Sequence, residues 1–87
     1  MNVAFHPDVY KQLQQLPRRV FSAALNAIIA LTHDARPSRV KKMVGSRSDW
    51  RIRIGEYRIV YEIDDTARTV TVLNVEHRRD AYRLNMQ

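Results

Sequence analysis

The chain has 87 residues, 45% of them hydrophobic, with two glycines and three prolines; this allows one folded domain over 1–87 and excludes a disordered tail or a second core. There is no cysteine, so disulfides and thiolate metal sites are excluded, and the lack of a signal-peptide pattern or long apolar run sets the expectation of a cytoplasmic protein with no membrane partner. The whole net charge of +6 lies between Arg36 and Arg58, where Arg36, Arg39, Lys41, Lys42, Arg47, Arg51, Arg53 and Arg58 meet only Asp49 and Glu56, a confinement that points to a site for an anionic partner.

Val3-Ala4-Phe5 reads as a short strand ended by His6-Pro7, with Pro7 suited to the first turn of a helix. Val9, Leu13 and Leu16 then recur at helical spacing, and Lys11, Gln12, Gln14 and Gln15 cover the other side. Pro17 breaks this helix and opens the next, whose stripe is Val20, Phe21, Ala24, Leu25, Ile28 and Leu31. His6 and His33 flank helix ends and read as cap or surface residues. From Arg39 to Arg47 the chain is a basic connection with an irregular strand at Val40 to Val44 and a turn at Gly45-Ser46.

The stretch from Trp50 to Ile63 carries the strongest local signal. Trp50, Ile52 and Ile54 alternate with Arg51 and Arg53, and Tyr57, Ile59, Tyr61 and Ile63 alternate with Arg58, Val60 and Glu62, the period-two pattern of half-buried strands. A two-residue turn at Gly55-Glu56, with Gly supplying the positive φ of a II′ turn, sets residue 54 opposite 57, 53 opposite 58, 52 opposite 59 and 51 opposite 60. Arg53 then faces Arg58, with Arg51 on the diagonal, and no acid in that short register offsets three guanidinium groups. Trp50, Tyr57 and Tyr61 share the parity of the isoleucines and read as core. After a polar turn at Asp64 to Ala67, the last strand runs from Thr69 to Val75 with apolar residues on both parities, which suits a central strand covered on both faces. The tail from Glu76 to Leu84 ends in a brief helical turn. The fold class is α+β: a small twisted, largely antiparallel sheet with an N-terminal helical hairpin packed on one face and arginines on the other.

Trp50 to Asp65 and the run Val75-Glu76-His77-Arg78-Arg79-Asp80-Ala81-Tyr82-Arg83 resemble the RelE-like toxins of bacterial and archaeal toxin–antitoxin systems, within the RelE/ParE superfamily. The resemblance spans nearly the whole chain. It implies a RelE-like fold and a messenger-RNA endonuclease acting in the ribosomal A site, in which the ribose 2′-hydroxyl attacks the adjacent phosphate without metal or cofactor. It also implies a cognate antitoxin with a small, partly disordered acidic segment, and operator DNA reached only through that antitoxin. Arg51, Arg53, Arg58, Arg78 and Tyr82 occupy the positions of the family's functional residues. Some relatives carry lysines where this chain has Arg51 and Arg53; arginine stays protonated, so these two neutralise phosphate but are poor proton acceptors.

Such a reaction needs a charge clamp on the scissile phosphate, an acceptor for the 2′-hydroxyl proton and a donor to the leaving oxygen. Arg58 and Arg78 suit the clamp, because a planar fork matches two phosphate oxygens. An imidazole is the side chain whose ordinary pKa lies near neutrality, so His77, beside the clamp, is the candidate acid or base. Tyr82 is set to stack on a base, donate its hydroxyl or pack on the sheet. Lys41, Lys42 and Arg47 are expected to hold RNA or the ribosome through charge. The three histidines share no metal-ligand spacing, and no phosphate-binding glycine loop is present. Two alternatives stay open: a ParE-like, non-enzymatic poison of DNA gyrase, and a decayed toxin that binds its antitoxin without cutting RNA.

Overall fold

The computed structural model describes residues 1–36, 41–42 and 49–77. The chain runs through β1 (Asn2–Phe5), α1 (Pro7–Gln14), α2 (Arg18–Leu31), β2 (Lys41–Lys42), β3 (Asp49–Ile54), β4 (Tyr57–Asp64) and β5 (Thr69–His77). His6 caps α1 by accepting a hydrogen bond from the Asp8 backbone N–H at its Nδ1 (3.3 Å), and Pro7 fills the first helical position, where its missing N–H is no loss. Pro17, extended at φ −55° and ψ 149°, ends one helix and starts the other. Of the basic connection, the strand expected over 40–44 is described at Lys41 and Lys42, and its Gly45-Ser46 turn lies outside the described residues.

Among the described residues the sheet has five strands in the order β1-β5-β4-β3-β2, with β1 and β5 parallel and the other pairs antiparallel. The β3–β4 register is the one the turn dictates: Ile54 opposite Tyr57, Arg53 opposite Arg58, Ile52 opposite Ile59 and Arg51 opposite Val60. Gly55 sits at φ +59° and Glu56 does not share that region, as a II′ turn requires. The polar turn after β4 is closed by the Asp64 carboxylate, which accepts from the Ala67 N–H at 3.0 Å.

Val9 and Leu13 of α1, Ala24, Ile28 and Leu31 of α2, and Ile52, Ile59, Tyr61, Ile63, Val70, Val72 and Val75 of the sheet form one core, with Trp50, Ile54 and Phe21 packed against it. Both helices therefore cover one sheet face, and Arg51, Arg53 and Arg58, at the alternate positions, belong to the other. Strand β5 corrects one expectation. Its apolar residues fall on both parities because the ladder slips by one residue, Tyr61 facing Val72 while Val60 faces Asn74. Leu73 is the extra residue of this β-bulge, so Val72 and Val75 reach the same core from opposite parities. The strand also continues past Val75 to His77, because Arg58 and Tyr57 extend the ladder with Glu76 and His77.

Tyr61 is fully buried, and its hydroxyl donates to the Ala35 carbonyl at 2.9 Å, tying the end of the helical layer to the middle of the sheet. Burial pushes its phenol from the ordinary value of 10.0 up to about 12. The unfolded chain therefore releases this proton first. The stability it contributes is fully present below pH 10 and is lost as pH rises from 10 to about 12. We expect Tyr61→Phe to flatten the alkaline limb of stability, measured by urea midpoint, across that window. Below it the substitution should cost about 1 kcal/mol for the lost hydrogen bond.

Arg36 is withdrawn from the basic segment by its own contacts. Its Nη1 and Nη2 donate to the two oxygens of Asp65 at 3.3 and 2.9 Å, and its guanidinium lies 5.4 Å from the Trp50 ring centroid. The hydrogen bonds to Asp65 hold Arg36 above its ordinary range, and Arg36 holds the Asp65 carboxyl below its own. Both side chains are well exposed, so the pair fixes geometry more than it adds stability.

Candidate nucleic-acid interface

Alternation along β3 and β4 sets Arg51, Arg53 and Arg58 on the sheet face the helices leave uncovered, with Arg53 and Arg58 directly across the ladder. Arg53 is exposed at the hairpin tip, where its Nε donates to the Gly55 carbonyl at 3.2 Å. Arg51 is half-buried and pairs through the backbone with Lys41 on one side and Val60 on the other. The backbone of Lys42 lies opposite Trp50. The side chains of Lys41 and Lys42, and all of Arg47, Arg78 and Tyr82, lie outside the described residues.

The hairpin read alone shows no acid facing the arginines; β5 supplies one. Glu76 lies opposite Arg58, and the Arg58 Nε donates to Glu76 Oε1 at 2.6 Å. The other carboxylate oxygen accepts from Asn74 Nδ2 at 2.8 Å. Asn74 Oδ1 in turn accepts from Gln12 Nε2 of α1 at 2.6 Å, and Gln12 Oε1 accepts from the Val75 backbone N–H at 2.7 Å. The last contact is explained by topology. Strand β1 pairs with β5 only as far as Phe5 opposite Val72, so beyond the bulge α1 lies beside the strand and the Gln12 amide takes the place of a missing strand partner.

His77 makes a different set of contacts. It lies opposite Tyr57, whose ring it meets edge-on at 4.9 Å, and its Nε2 is 3.3 Å from the Glu56 carboxylate at the turn. With Gln15, Leu16 and Tyr57 it lines a groove of about 450 Å³ between the end of α1 and the end of β5, and Gln12, Asn74 and Glu76 line the same groove. Neighbouring positions on a strand point to opposite faces, so His77 belongs to the α1 side and Arg58–Glu76 to the arginine side of the same strand end.

Gln12, Asn74 and Glu76 are the polar residues sequence reasoning missed. Gln12 was legible only as one of several polar residues on the outer side of α1. Glu76 would have been found by running the β4–β5 ladder to its end, which needs the position of the bulge. Among the described residues no cluster of three or more histidine or acidic side chains is arranged to hold a metal ion, and no helix is long and apolar enough to cross a membrane.

Comparison with known proteins places this architecture among the toxins of type II toxin–antitoxin systems. The model of the family described as "ParE toxin of type II toxin-antitoxin system, parDE" matches residues 3–82. Toxin RelG of Mycobacterium tuberculosis is 36% identical over 84 residues, covering 93% of this chain and 94% of its own. Toxin RelE of the same organism is 30% identical over 88 residues, covering 97% of this chain and 88% of its own. The toxin in the archaeal RelE–RelB complex from Pyrococcus horikoshii superposes with a TM-score of 0.79 at 27% identity, over 88% of this chain and 93% of that one. The chain belongs to the RelE/ParE superfamily and is a RelE-like type II toxin.

Proposed function

We propose that this toxin is a ribosome-dependent messenger-RNA endonuclease that cuts in the A site by attack of the ribose 2′-hydroxyl, arresting translation until a cognate antitoxin silences it. The observation that supports this reading most is the placement of Arg51, Arg53 and Arg58 together on the sheet face opposite the two helices, two of them directly across the ladder. A phosphodiester passing over that face would relieve the repulsion between them. Arg58 and Arg78 stabilise the phosphorane charge, and Arg51 and Arg53 neutralise the flanking phosphates. His77 and Tyr82 are the candidates for proton transfer and base stacking, while Lys41, Lys42 and Arg47 hold the RNA or the ribosome. The partner is an antitoxin with an acidic segment, in keeping with the RelE–RelB complex to which this fold is similar; operator DNA is reached through that antitoxin.

Purified toxin mixed with ribosomes carrying a defined codon in the A site should yield a cut within that codon bearing a cyclic phosphate and a free 5′-hydroxyl, mapped by primer extension and end-labelling. Gyrase-trapped DNA breaks with intact messenger would instead move the chain to the ParE-like reading. Folded protein that gives neither would leave the decayed toxin.

A further inference from the structure

Among the described residues the guanidinium of Arg58 is held by one edge only. Its Nε donates to Glu76, and among the described residues neither Nη group has a partner. Both side chains of the pair are largely withdrawn from water, with 19% and 10% of their surface exposed, so the contact sits where charge-assisted hydrogen bonds are strong and directional. The carboxylate is itself held. Because Gln12 accepts from a backbone N–H with its oxygen, its nitrogen must donate to Asn74 Oδ1, which turns the Asn74 nitrogen toward Glu76. Each amide orientation follows from the one before it, from the β5 backbone to the arginine.

Taking the cleavage reading above as given, we propose that Glu76, fixed by Asn74 and Gln12, is the positioning residue for Arg58: it grips the Nε edge and leaves the two Nη groups to fork the scissile phosphate. A free arginine would have to order its long side chain in the transition state; this one is ordered beforehand, and a displacement of about 1 Å in such a group costs up to about a hundredfold in rate. Glu76 touches neither RNA nor the reacting atoms, and acts through Arg58.

The test is single-turnover cleavage on programmed ribosomes by wild type, Glu76→Ala, Glu76→Gln, Asn74→Ala, Arg58→Ala and the Arg58→Ala/Glu76→Ala double variant, with melting temperature measured for each. Glu76→Ala should lower the saturated rate about 10- to 100-fold and leave the half-saturating ribosome concentration unchanged. Glu76→Gln should recover only a small part of the loss: its amide oxygen can still accept from Nε, but its NH2 then faces the Asn74 NH2, donor to donor. The double variant should be no slower than Arg58→Ala alone, a coupling that a merely structural role would not produce. In wild type the Arg58 Nε–H should be a slowly exchanging proton by NMR, and should lose that protection in Glu76→Ala. Should Glu76→Ala fail to fold, Glu76→Gln and Asn74→Ala carry the same rate and exchange comparisons. A wild-type rate in these variants, additive losses in the double variant or an unprotected Arg58 Nε–H in wild type would overturn the positioning role alone. Absence of cleavage by wild type would overturn the reading of the site and this role together.

Discussion

Arg58→Ala is expected to slow A-site cleavage by at least about a hundredfold, the loss typical when a donor to transition-state charge is removed. Arg78→Ala should match it. The Arg58 variant carries a second effect that its contacts make calculable in sign: the Glu76 carboxylate keeps the Asn74 amide but loses its counter-charge while only 10% of its side chain is exposed. An uncompensated carboxylate so little hydrated destabilises the fold, by about 1 to 3 kcal/mol. Rates should therefore be compared well below the variant's melting temperature. Arg58→Lys is the informative companion, since it keeps the charge and the ion pair but loses the planar fork. Near-native stability with a rate still far below wild type would assign the loss to the chemistry of the fork. Wild-type rates in both Arg58→Ala and Arg78→Ala would move the active site elsewhere.

Antitoxin association should be fast and strongly dependent on salt. Arg51 and Arg53 make no ion pair among the described residues, and they stand beside Arg58 on the face opposite α1 and α2. An acidic segment approaching that face gains long-range attraction, and a partly disordered one makes first contact with little orientational demand. Stopped-flow association with the neighbouring gene's product should slow by about tenfold or more between low ionic strength and about 0.5 M salt, while the dissociation rate changes less. A rate indifferent to salt, or a complex that leaves the arginine face open, would show that inhibition is achieved some other way.

Much of this fold was legible because its local rules agree. A two-residue turn leaves the β3–β4 hairpin no freedom of register, so the Arg53–Arg58 juxtaposition followed from Gly55-Glu56 alone. The apolar residues of the two helices recur at intervals of three and four, and Pro7 and Pro17 mark their starts. What escaped was non-local. The slip at Leu73 depends on how β5 meets β4 across the sheet, and without it neither the partner of Arg58 nor the core role of Val75 can be assigned. Arg36 counted as part of a basic site until Asp65, 29 residues away, claimed both its Nη groups. Gln12 and Asn74, 62 residues apart, carry no short-range signal of each other. The placement of His77 against Tyr57 likewise needs the ladder past Val75, whereas its place in the sequence suggested only nearness to the clamp.

Gln12 has a further consequence, for how copies of this chain behave toward each other. Past Val72 the border of β5 is no longer shared with β1, and a bare border of this kind invites a strand from a neighbouring molecule. The amide that closes it comes from a helix, so it satisfies the Val75 N–H without offering a neighbour a strand to extend. Here one side chain both caps the border of β5 that β1 leaves and sets the first link in the chain of contacts that ends at Arg58.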